Sequence, residues 1–172
     1  MAEFLKTDRL ILRNFRKEDF PAVFSWRNDA ACAKFQRWND TTEDAVMAYL
    51  RRHEDDVFLS DKDEQHYAIS DTSGAAVGEL ACFYNPEDAC ITLGITIAPE
   101  FQGQGLAFEL LSAAVQAIRE IHTDMDIVGL IHPDNKASIR LFEKLGFVLE
   151  CYAKSIDSCV YTLFATNLAN GT

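Results

Sequence analysis

One stretch of this chain has the residue types and spacing of an anion-binding loop. Residues 99–107 read Pro-Glu-Phe-Gln-Gly-Gln-Gly-Leu-Ala, and a long segment with helical spacing of apolar residues follows them. The first turn of a helix has backbone N–H groups without intrahelical partners, and the helix dipole places partial positive charge there. Gly103 and Gly105 have no Cβ, so a phosphate can approach these N–H groups directly. The stretch predicts a phosphate-binding loop, with plain turn glycines as the alternative.

This stretch excludes two better-known phosphate motifs. A P-loop requires Gly-Lys followed by Ser or Thr, which is missing here. A dinucleotide-binding fold requires a third glycine where this chain has Phe108. The helix after the loop is predicted to bury one apolar face, formed by Leu106, Leu110, Leu111, Ala114, Ile118 and Ile121.

Length and composition limit the class of protein. The chain has 172 residues, of which 48% are hydrophobic, so one domain with a full core accounts for it. The N-terminus lacks the apolar run of a signal peptide, and no segment reaches the ~20 apolar residues needed to span a bilayer. We expect a cytoplasmic protein with no membrane partner.

The charge and the cysteines narrow the class further. A formal net charge of −11 disfavours nucleic acid as a partner, because binding to a phosphate backbone needs a basic surface. It suits a cationic partner such as an amine, although solubility alone also explains such a charge. The five cysteines have neither Cys-x-x-Cys pairs nor metal-ligand spacing, and we expect them to be free thiols in packing positions.

The remaining elements must position the predicted loop. The periodicity predicts the order strand, two helices, three antiparallel strands, helix, strand, helix and two strands. We therefore expect a single mixed α/β (α+β) domain, whose central sheet of about seven mostly antiparallel strands has helices on both faces. The predicted elements are a strand at 9–15, helices at 18–26 and from a Thr41–Asp44 capping box to Val57, strands at 66–70, 76–84 and 90–98, the helix after the loop, a strand at 126–131, a helix from Asn135 that Gly146 closes, and a hairpin of 147–154 and 159–166.

His53 lies on the apolar face of the second predicted helix. Because no Cys or His lies at metal-ligand spacing from it, we expect a packing residue, and no metal site is predicted anywhere in the chain.

Three stretches, in order, resemble the GNAT superfamily of acyl-CoA-dependent N-acetyltransferases. They are Thr-Asp-Arg-Leu-Ile-Leu-Arg at 7–13, the Gln-x-x-Gly-x-Ala pattern at 102–107, and Asn-Lys-Ala-Ser-Ile-Arg-Leu-Phe-Glu-Lys-Leu-Gly-Phe at 135–147. They are similar to the RimJ/RimL-type branch, the ribosomal-protein N-terminal acetyltransferases. The resemblance spans nearly the whole chain and implies one N-acetyltransferase domain at residues 7–169.

The resemblance implies acetyl-CoA as the acyl-donor co-substrate. Its pyrophosphate would lie on the amides of residues 103–107, and its pantetheine arm beside the strand at 95–97. Asn135 would contact the cofactor near the thioester, although it fits the N-cap of the next helix almost equally well. The expected cofactor-binding residues are Ile95, Thr96, Ile97, Gln102, Gly103, Gln104, Gly105, Leu106, Ala107, Asn135, Ser138 and Phe142.

The implied chemistry is direct attack of a neutral amine on the thioester carbonyl, which a backbone N–H at Ile97 would polarise. Many relatives have a tyrosine as the acid where this chain has Phe142, so Ser138 is the expected acid, with a structural role in the first helical turn as the alternative. Many RimJ/RimL-type sequences have a glutamate where this chain has Thr92. Glu79 is the expected base, with a solvated strand position as the alternative, and ordered water can also carry the proton.

The family's acceptor site lies between the first two helices and the last hairpin, where this chain has Phe35, Trp38 and Tyr152. Trp38 can instead wedge the two helices together. The implied function is acetyl transfer, in a ternary complex, to the primary amine of a protein N-terminus or a small molecule. The alternative is a catalytically impaired CoA-binding sensor or scaffold, which Phe142 and Thr92 favour. Dimers are frequent in this branch, so a homodimer is compatible with the resemblance.

Overall fold

One eight-stranded sheet organises residues 2–165, the part of the chain that the computed structural model describes. The strands are β1 (Glu3–Lys6), β2 (Leu10–Arg13), β3 (Glu64–Asp71), β4 (Ala76–Asn85), β5 (Cys90–Ile97), β6 (Asp126–Ile131), β7 (Val148–Ala153) and β8 (Ser158–Leu163). The helices are α1 (Phe20–Arg27), α2 (Ala30–Ala33), α3 (Glu43–Arg52), α4 (Leu106–Ile121) and α5 (Lys136–Lys144). This mixed α/β architecture confirms the predicted fold class.

The sheet is open at one point that matters for function. Its strands lie in the order β1-β2-β3-β4-β5-β6-β8-β7, and among these described strands only β5 and β6 run parallel. The predicted meander of β3, β4 and β5 is confirmed. β5 pairs with β6 only from Cys90 to Thr92, whereas its pairing with β4 continues to Ile97. The two parallel strands therefore separate after Thr92 and leave a gap.

Apolar side chains form a core on each face of the sheet. Side chains alternate along a strand, so Tyr67 and Ile69 of β3 belong to one core and Ala68 to the other. The first core lies under α4 and includes the buried Leu110. The second lies under α1 and α3 and includes Trp26. Helices therefore cover both faces, as the periodicity predicts.

Several predicted boundaries are wrong. β1 is an additional strand, and the strand expected at 9–15 is limited to Leu10–Arg13. Thr42, and not Thr41, is the N-cap of α3, since its hydroxyl accepts the N–H of Ala45 at 3.3 Å. α3 ends at Arg52, so Val57 lies outside it.

Two further outcomes concern burial and the chain end. Ile121 is 61% exposed and does not belong to the buried face of α4. The end of the predicted hairpin at residue 166, and residues 166–169 of the predicted domain, lie outside the described residues.

Between residues 2 and 165, no helix is long and apolar enough to cross a membrane. All five cysteines are free, as predicted, but Cys151 is exposed and does not have the packing position expected for it.

Candidate active site

A cavity of about 580 Å³ lies at the gap between β5 and β6, bordered by α2, the start of α4 and α5. This volume is within the range of small-molecule sites. Of the predicted cofactor residues at 102–107, Gln104 is the one that does not line the cavity. The predicted cofactor residues that line the cavity are Ile95, Thr96, Ile97, Gln102, Gly103, Gly105, Leu106, Ala107, Asn135 and Ser138.

The cofactor loop, residues 102–107, has the backbone conformation that an anion site requires. Gly103 and Gly105 have φ angles of 75° and 76°, a left-handed conformation that side chains disfavour. A Cβ on Gly103 would meet nothing within 4 Å, so the space beside this residue is open to a ligand. The first bond of α4 runs from the N–H of Glu109 to the carbonyl of Gly105 at 3.1 Å. The N–H groups of residues 106–108 are therefore available to a phosphate.

Hydrogen bonds fix this loop at both ends. Gln102 Nε2 donates to the carbonyl of Ile97 at 2.9 Å, which ties the loop to β5. Arg9 Nη1 donates to the carbonyl of Gln104 at 3.0 Å. The Arg9 guanidinium is held in turn by Glu109 of α4, at 2.7 Å from Nε. The loop is therefore ordered by the protein before any ligand binds.

The charged side chains that line the cavity are both cationic. They are Arg140 and Lys144 of α5, and Lys144 Nζ lies 4.1 Å from the centre of the Phe108 ring at the start of α4. No Asp or Glu from the described part of the chain lines the cavity, although the net charge of the protein is −11. Two cations beside the N-terminus of α4 suit the phosphates of CoA.

Beyond Thr92, β5 has a free edge toward the cavity. The N–H of Ala98 donates to the carbonyl of Val77 in β4 at 2.8 Å. Because the direction of N–H groups alternates along a strand, those of Ile95 and Ile97 point away from β4 and into the gap. They can pair with the amides of an extended pantetheine or polarise a thioester carbonyl.

A second cavity, of about 80 Å³, adjoins the first. Phe35, Asn135 and Ser138 line both, so they lie where the two cavities meet. The Asn135 side chain accepts the N–H of Ser138 at 3.2 Å, which confirms the N-cap role. Asn135 also lines both cavities, which is compatible with the predicted contact with the thioester, and that contact stays a prediction.

Phe142 lines the smaller cavity only. It is 3% exposed, and its ring centre lies 4.9 Å from that of Phe147. A Cβ on Gly129 of β6 would lie 2.4 Å from the Phe142 ring, so glycine is required there for α5 to approach the sheet. The side chain therefore packs α5 against β6, and its contact with the cofactor stays a prediction.

Glu79 of β4 is buried, so the predicted alternative of a solvated position is wrong. Arg27 of α1 donates to both of its oxygens, at 2.9 and 3.2 Å. Burial raises the pKa of the Glu79 carboxyl, against the opposing effect of Arg27. Glu79 lines neither cavity, although Thr96, its partner across the sheet, lines the larger one. Its role as a base stays a prediction.

The three predicted acceptor residues have different surroundings. Phe35 lines both cavities, and its ring centre lies 5.1 Å from that of His132. Tyr152 is 52% exposed, and its hydroxyl donates to Asp157. Trp38 lines neither cavity and packs on the Arg27 guanidinium at 4.9 Å, which favours the wedge alternative.

The sequence analysis missed Arg140 and Lys144, the two cations of the larger cavity, and it also missed His132 and Cys32. His132 lines the smaller cavity; its Nε2 lies 3.3 Å from Asp157, and its Nδ1 accepts the N–H of Asp134 at 3.1 Å. Its place directly after β6 is a signal, because ligands bind beyond the carboxyl ends of strands in open α/β sheets. Cys32 lines the larger cavity, but burial raises the pKa of its thiol to about 11, so it is not a nucleophile at neutral pH.

Comparison with known proteins agrees with this geometry. The acetyltransferase (GNAT) domain model matches residues 9–148. YnaD of Bacillus subtilis, described as an uncharacterized N-acetyltransferase, is 22% identical over 151 residues, which cover 87% of this chain and 85% of YnaD. The ribosomal protein uS5-alanine N-acetyltransferase of Escherichia coli is 40% identical over 62 residues, which cover 36% of this chain and 32% of that enzyme. A GNAT-family acetyltransferase from Bacillus anthracis shares the fold, with a TM-score of 0.80, 19% identity and coverage of 95% and 99% of the two chains.

The chain therefore belongs to the GNAT acetyltransferase family, since the family model matches well over half of it. It is an N-acetyltransferase, and acetyl-CoA is its co-substrate. The match to the uS5-alanine enzyme supports the predicted resemblance to the RimJ/RimL-type branch.

Proposed function

We propose that this protein transfers the acetyl group of acetyl-CoA to a primary amine by direct attack within a ternary complex. The observation that carries the proposal is the junction of the two cavities. The larger cavity is lined by the cofactor loop and the free edge of β5. The smaller cavity adjoins it, and Asn135 and Ser138 line both. Two substrates can therefore meet at one point from two sides.

The reaction balances with the groups present. The lone pair of a neutral amine attacks the thioester carbon, a C–N bond forms, the C–S bond breaks, and the amine nitrogen loses one proton while the CoA thiolate gains one. The N–H of Ile97 or Ile95 stabilises the developing oxyanion, because both point into the gap. The Ser138 hydroxyl passes its proton to the thiolate and regains one from the ordered water that takes up the amine proton, since Ser138 lies at the junction and Phe142 has no hydroxyl.

Ordered water is the route by which the amine loses its proton. Glu79 lies behind the wall of the larger cavity, and its two oxygens already accept hydrogen bonds from Arg27. Direct contact between Glu79 and the amine would require breaking a buried ion pair. Any part that Glu79 has in removing the proton is therefore through water molecules and not by direct contact with the amine.

The acceptor is a primary amine of a small molecule or of a protein N-terminus, and it approaches through the smaller cavity. Asp134 and Asp157 flank His132 there, and both are largely exposed. Carboxylates near the entrance attract a cationic ammonium group, as does the net charge of −11. The uS5-alanine acetyltransferase, which the chain matches in part, acts on a protein as its name states.

The test is release of free CoA thiol from acetyl-CoA in the presence of an amine panel of peptides with free N-termini, polyamines, amino acids and aminoglycosides. We expect turnover with at least one amine and none without amine. Binding of acetyl-CoA without turnover on any amine would favour the second candidate, a CoA-binding sensor or scaffold, which the missing hydroxyl at Phe142 supports.

A homodimer is the proposed assembly. β7 is an edge strand of the sheet, and Val148, Leu149 and Tyr152 on it are each more than half exposed. Apolar edge strands of this kind pair with another chain. Sedimentation equilibrium tests this proposal, and a monomer at micromolar concentration would contradict it.

A further inference from the structure

A cluster of imidazole and carboxylate groups lies on the α1 and α3 side of the sheet. His53 directly follows α3, and Glu64 and His66 share one face of β3. Each residue offers one ligand atom, and these three atoms lie within 4.8 Å of one another. None of the three lines either cavity. We propose that His53, Glu64 and His66 bind a divalent transition-metal ion of the Zn²⁺ class, at a site separate from acyl transfer.

The Asp56 carboxylate orients His53 in the way that carboxylates orient metal-binding histidines. Nδ1 of His53 lies 2.7 Å from Oδ2 of Asp56. Asp56 also accepts the backbone N–H of His66 at 2.8 Å and pairs with Lys62. Because Asp56 accepts from these donors, its Oδ2 also accepts from His53, and Nδ1 of His53 is the donor. The lone pair of His53 is therefore on Nε2, the arrangement in which a carboxylate orients a histidine for a metal.

His66 has bonding capacity that the surrounding protein does not use. Its Nε2 lies 2.7 Å from Oε1 of Glu64, so a ring nitrogen and a carboxylate oxygen already converge. The lone pair of Nε2, the nitrogen beside Glu64, is therefore the one that would bind the ion, and Nδ1, which is buried and has no hydrogen-bond partner among the described residues, would carry the hydrogen. The proposal rests on the convergence of one ligand atom from each of the three residues.

The donor set selects the class of ion. Two imidazoles and one carboxylate suit Zn²⁺ and its first-row neighbours, whereas Mg²⁺ and Ca²⁺ prefer oxygen ligands alone. Zn–N bonds of about 2.0–2.1 Å put ligand atoms about 3.3 Å apart. The ligand atoms of the cluster lie within 4.8 Å of one another, and His66 Nε2 and Glu64 Oε1 are 2.7 Å apart, so the side chains must shift to surround an ion. Glu64 can supply part of this movement, because its side chain is 52% exposed. The exposed side leaves room for water as a fourth ligand.

The bound ion would link the end of α3 to the middle of the sheet. The ring of Tyr49 lies 4.9 Å from that of His53 and 5.3 Å from that of His66, and the Arg27 guanidinium lies 3.8 Å from the Tyr49 ring centre. An ion bound to the cluster would therefore stabilise the packing of α1 and α3 on the sheet, to which the Arg27–Glu79 ion pair also contributes.

The experiment is a titration of the full chain, first treated with a chelator, with Zn²⁺ by calorimetry and with Co²⁺ by visible absorption. We expect one Zn²⁺ per chain with micromolar or tighter affinity, Co²⁺ bands without thiolate charge transfer, and no comparable binding of Mg²⁺. Glu64→Gln should weaken Zn²⁺ binding at least tenfold, and it should fold normally because Glu64 is exposed. His53→Gln and His66→Gln should weaken it further.

Two matched controls locate the ion. His122→Gln removes a histidine outside the cluster, and Cys151→Ser removes the exposed cysteine; neither should change the affinity for Zn²⁺. Absence of Zn²⁺ binding at 100-fold molar excess overturns the proposal. Equal affinity of wild type and Glu64→Gln, or loss of binding in either control, overturns it as well. Binding of acetyl-CoA should be the same in Glu64→Gln and wild type, which keeps this test independent of the proposed function.

Discussion

The cofactor loop and the polar cluster on the α1 and α3 side handle charge in opposite ways. The loop offers backbone N–H groups from consecutive residues, and its two glycines keep side chains out of the way. The polar cluster consists of Arg27 of α1, His53 and Asp56 after α3, Glu64 and His66 of β3 and Glu79 of β4, which pair with one another, as Arg27 does with Glu79. The first region is built to receive a charge from outside, and the second would lose stability if one of its own charges were removed.

Removal of Glu79 should therefore have the largest effect on stability. Glu79→Ala leaves the buried Arg27 guanidinium without its partner, and breaking a buried ion pair in this way costs about 3–5 kcal/mol. We expect this loss in the free energy of unfolding, measured by urea denaturation. The double variant Arg27→Met with Glu79→Ala should regain a large part of it, because no unpaired charge is then left. A cost below about 1 kcal/mol for the single variant would mean that the pair is not buried in solution.

Gly105→Glu, in the cofactor loop, should have the next largest effect, which is on the binding of acetyl-CoA. Gly105 lines the larger cavity, so a glutamate there adds a negative charge beside the expected phosphates of acetyl-CoA, and like charges in contact cost several kcal/mol. A Cβ at this position would lie 3.7 Å from Arg9 Nη2, so the new carboxylate would also compete for the Arg9 guanidinium that anchors the loop. We expect acetyl-CoA binding, measured by calorimetry, to weaken about 100- to 1,000-fold.

Gly105→Ala is the matched control. It imposes the same strain at φ 76° without a charge, so the difference between the two variants isolates the charge. If alanine weakened binding as much as glutamate, backbone strain and not phosphate recognition would explain the loss.

The same contrast explains what the sequence could predict. The loop, the N-cap at Asn135 and the meander are local patterns, so their residue types alone indicate the structure. The cluster depends on which residues the sheet brings together. His53 has no metal-ligand partner nearby in the chain, and only the packing of α3 on β3 places His66 beside it, with ring centres 4.5 Å apart.

Burial of Glu79 was missed for a related reason. A glutamate in a strand is usually solvated, and its ion pair depends on Arg27, a residue of α1 that is distant in the sequence. β1 was missed because its four residues alternate weakly in burial and gain their stability from pairing with β2. Cavity shape is likewise a property of the assembled elements, which is why the sequence could not show that Trp38, a predicted acceptor residue, lines neither cavity.

Ser138→Ala tests the chemistry at the junction of the cavities. If the hydroxyl protonates the leaving thiolate, kcat should fall about 100-fold, the lower end of what general acids contribute, while the Kd for acetyl-CoA stays within about twofold. The measurement is steady-state thiol release together with calorimetry. Ser112→Ala is the control, because the Ser112 hydroxyl bonds only to the carbonyl of Phe108 within α4. Unchanged kcat in Ser138→Ala would limit Ser138 to the first turn of α5.

The smallest expected effect is a pH dependence of the contact that anchors the cofactor loop. Glu109 holds Arg9 against the cofactor loop, and although burial would raise its pKa, hydrogen bonds from Thr7 and Arg9 lower it below the usual 4.5. A carboxyl with a lowered folded-state pKa contributes its stability fully above about pH 4.5, and the contribution is lost as the pH falls through the folded-state value. Wild type should therefore be more stable than Glu109→Gln at pH 6, by less than about 1 kcal/mol because the pair is partly exposed. Thermal unfolding should show a Tm difference of about 2 °C at pH 6 that shrinks toward pH 3.5. A difference that grew on acidification would mean that Glu109 is destabilised by its surroundings and does not anchor the loop.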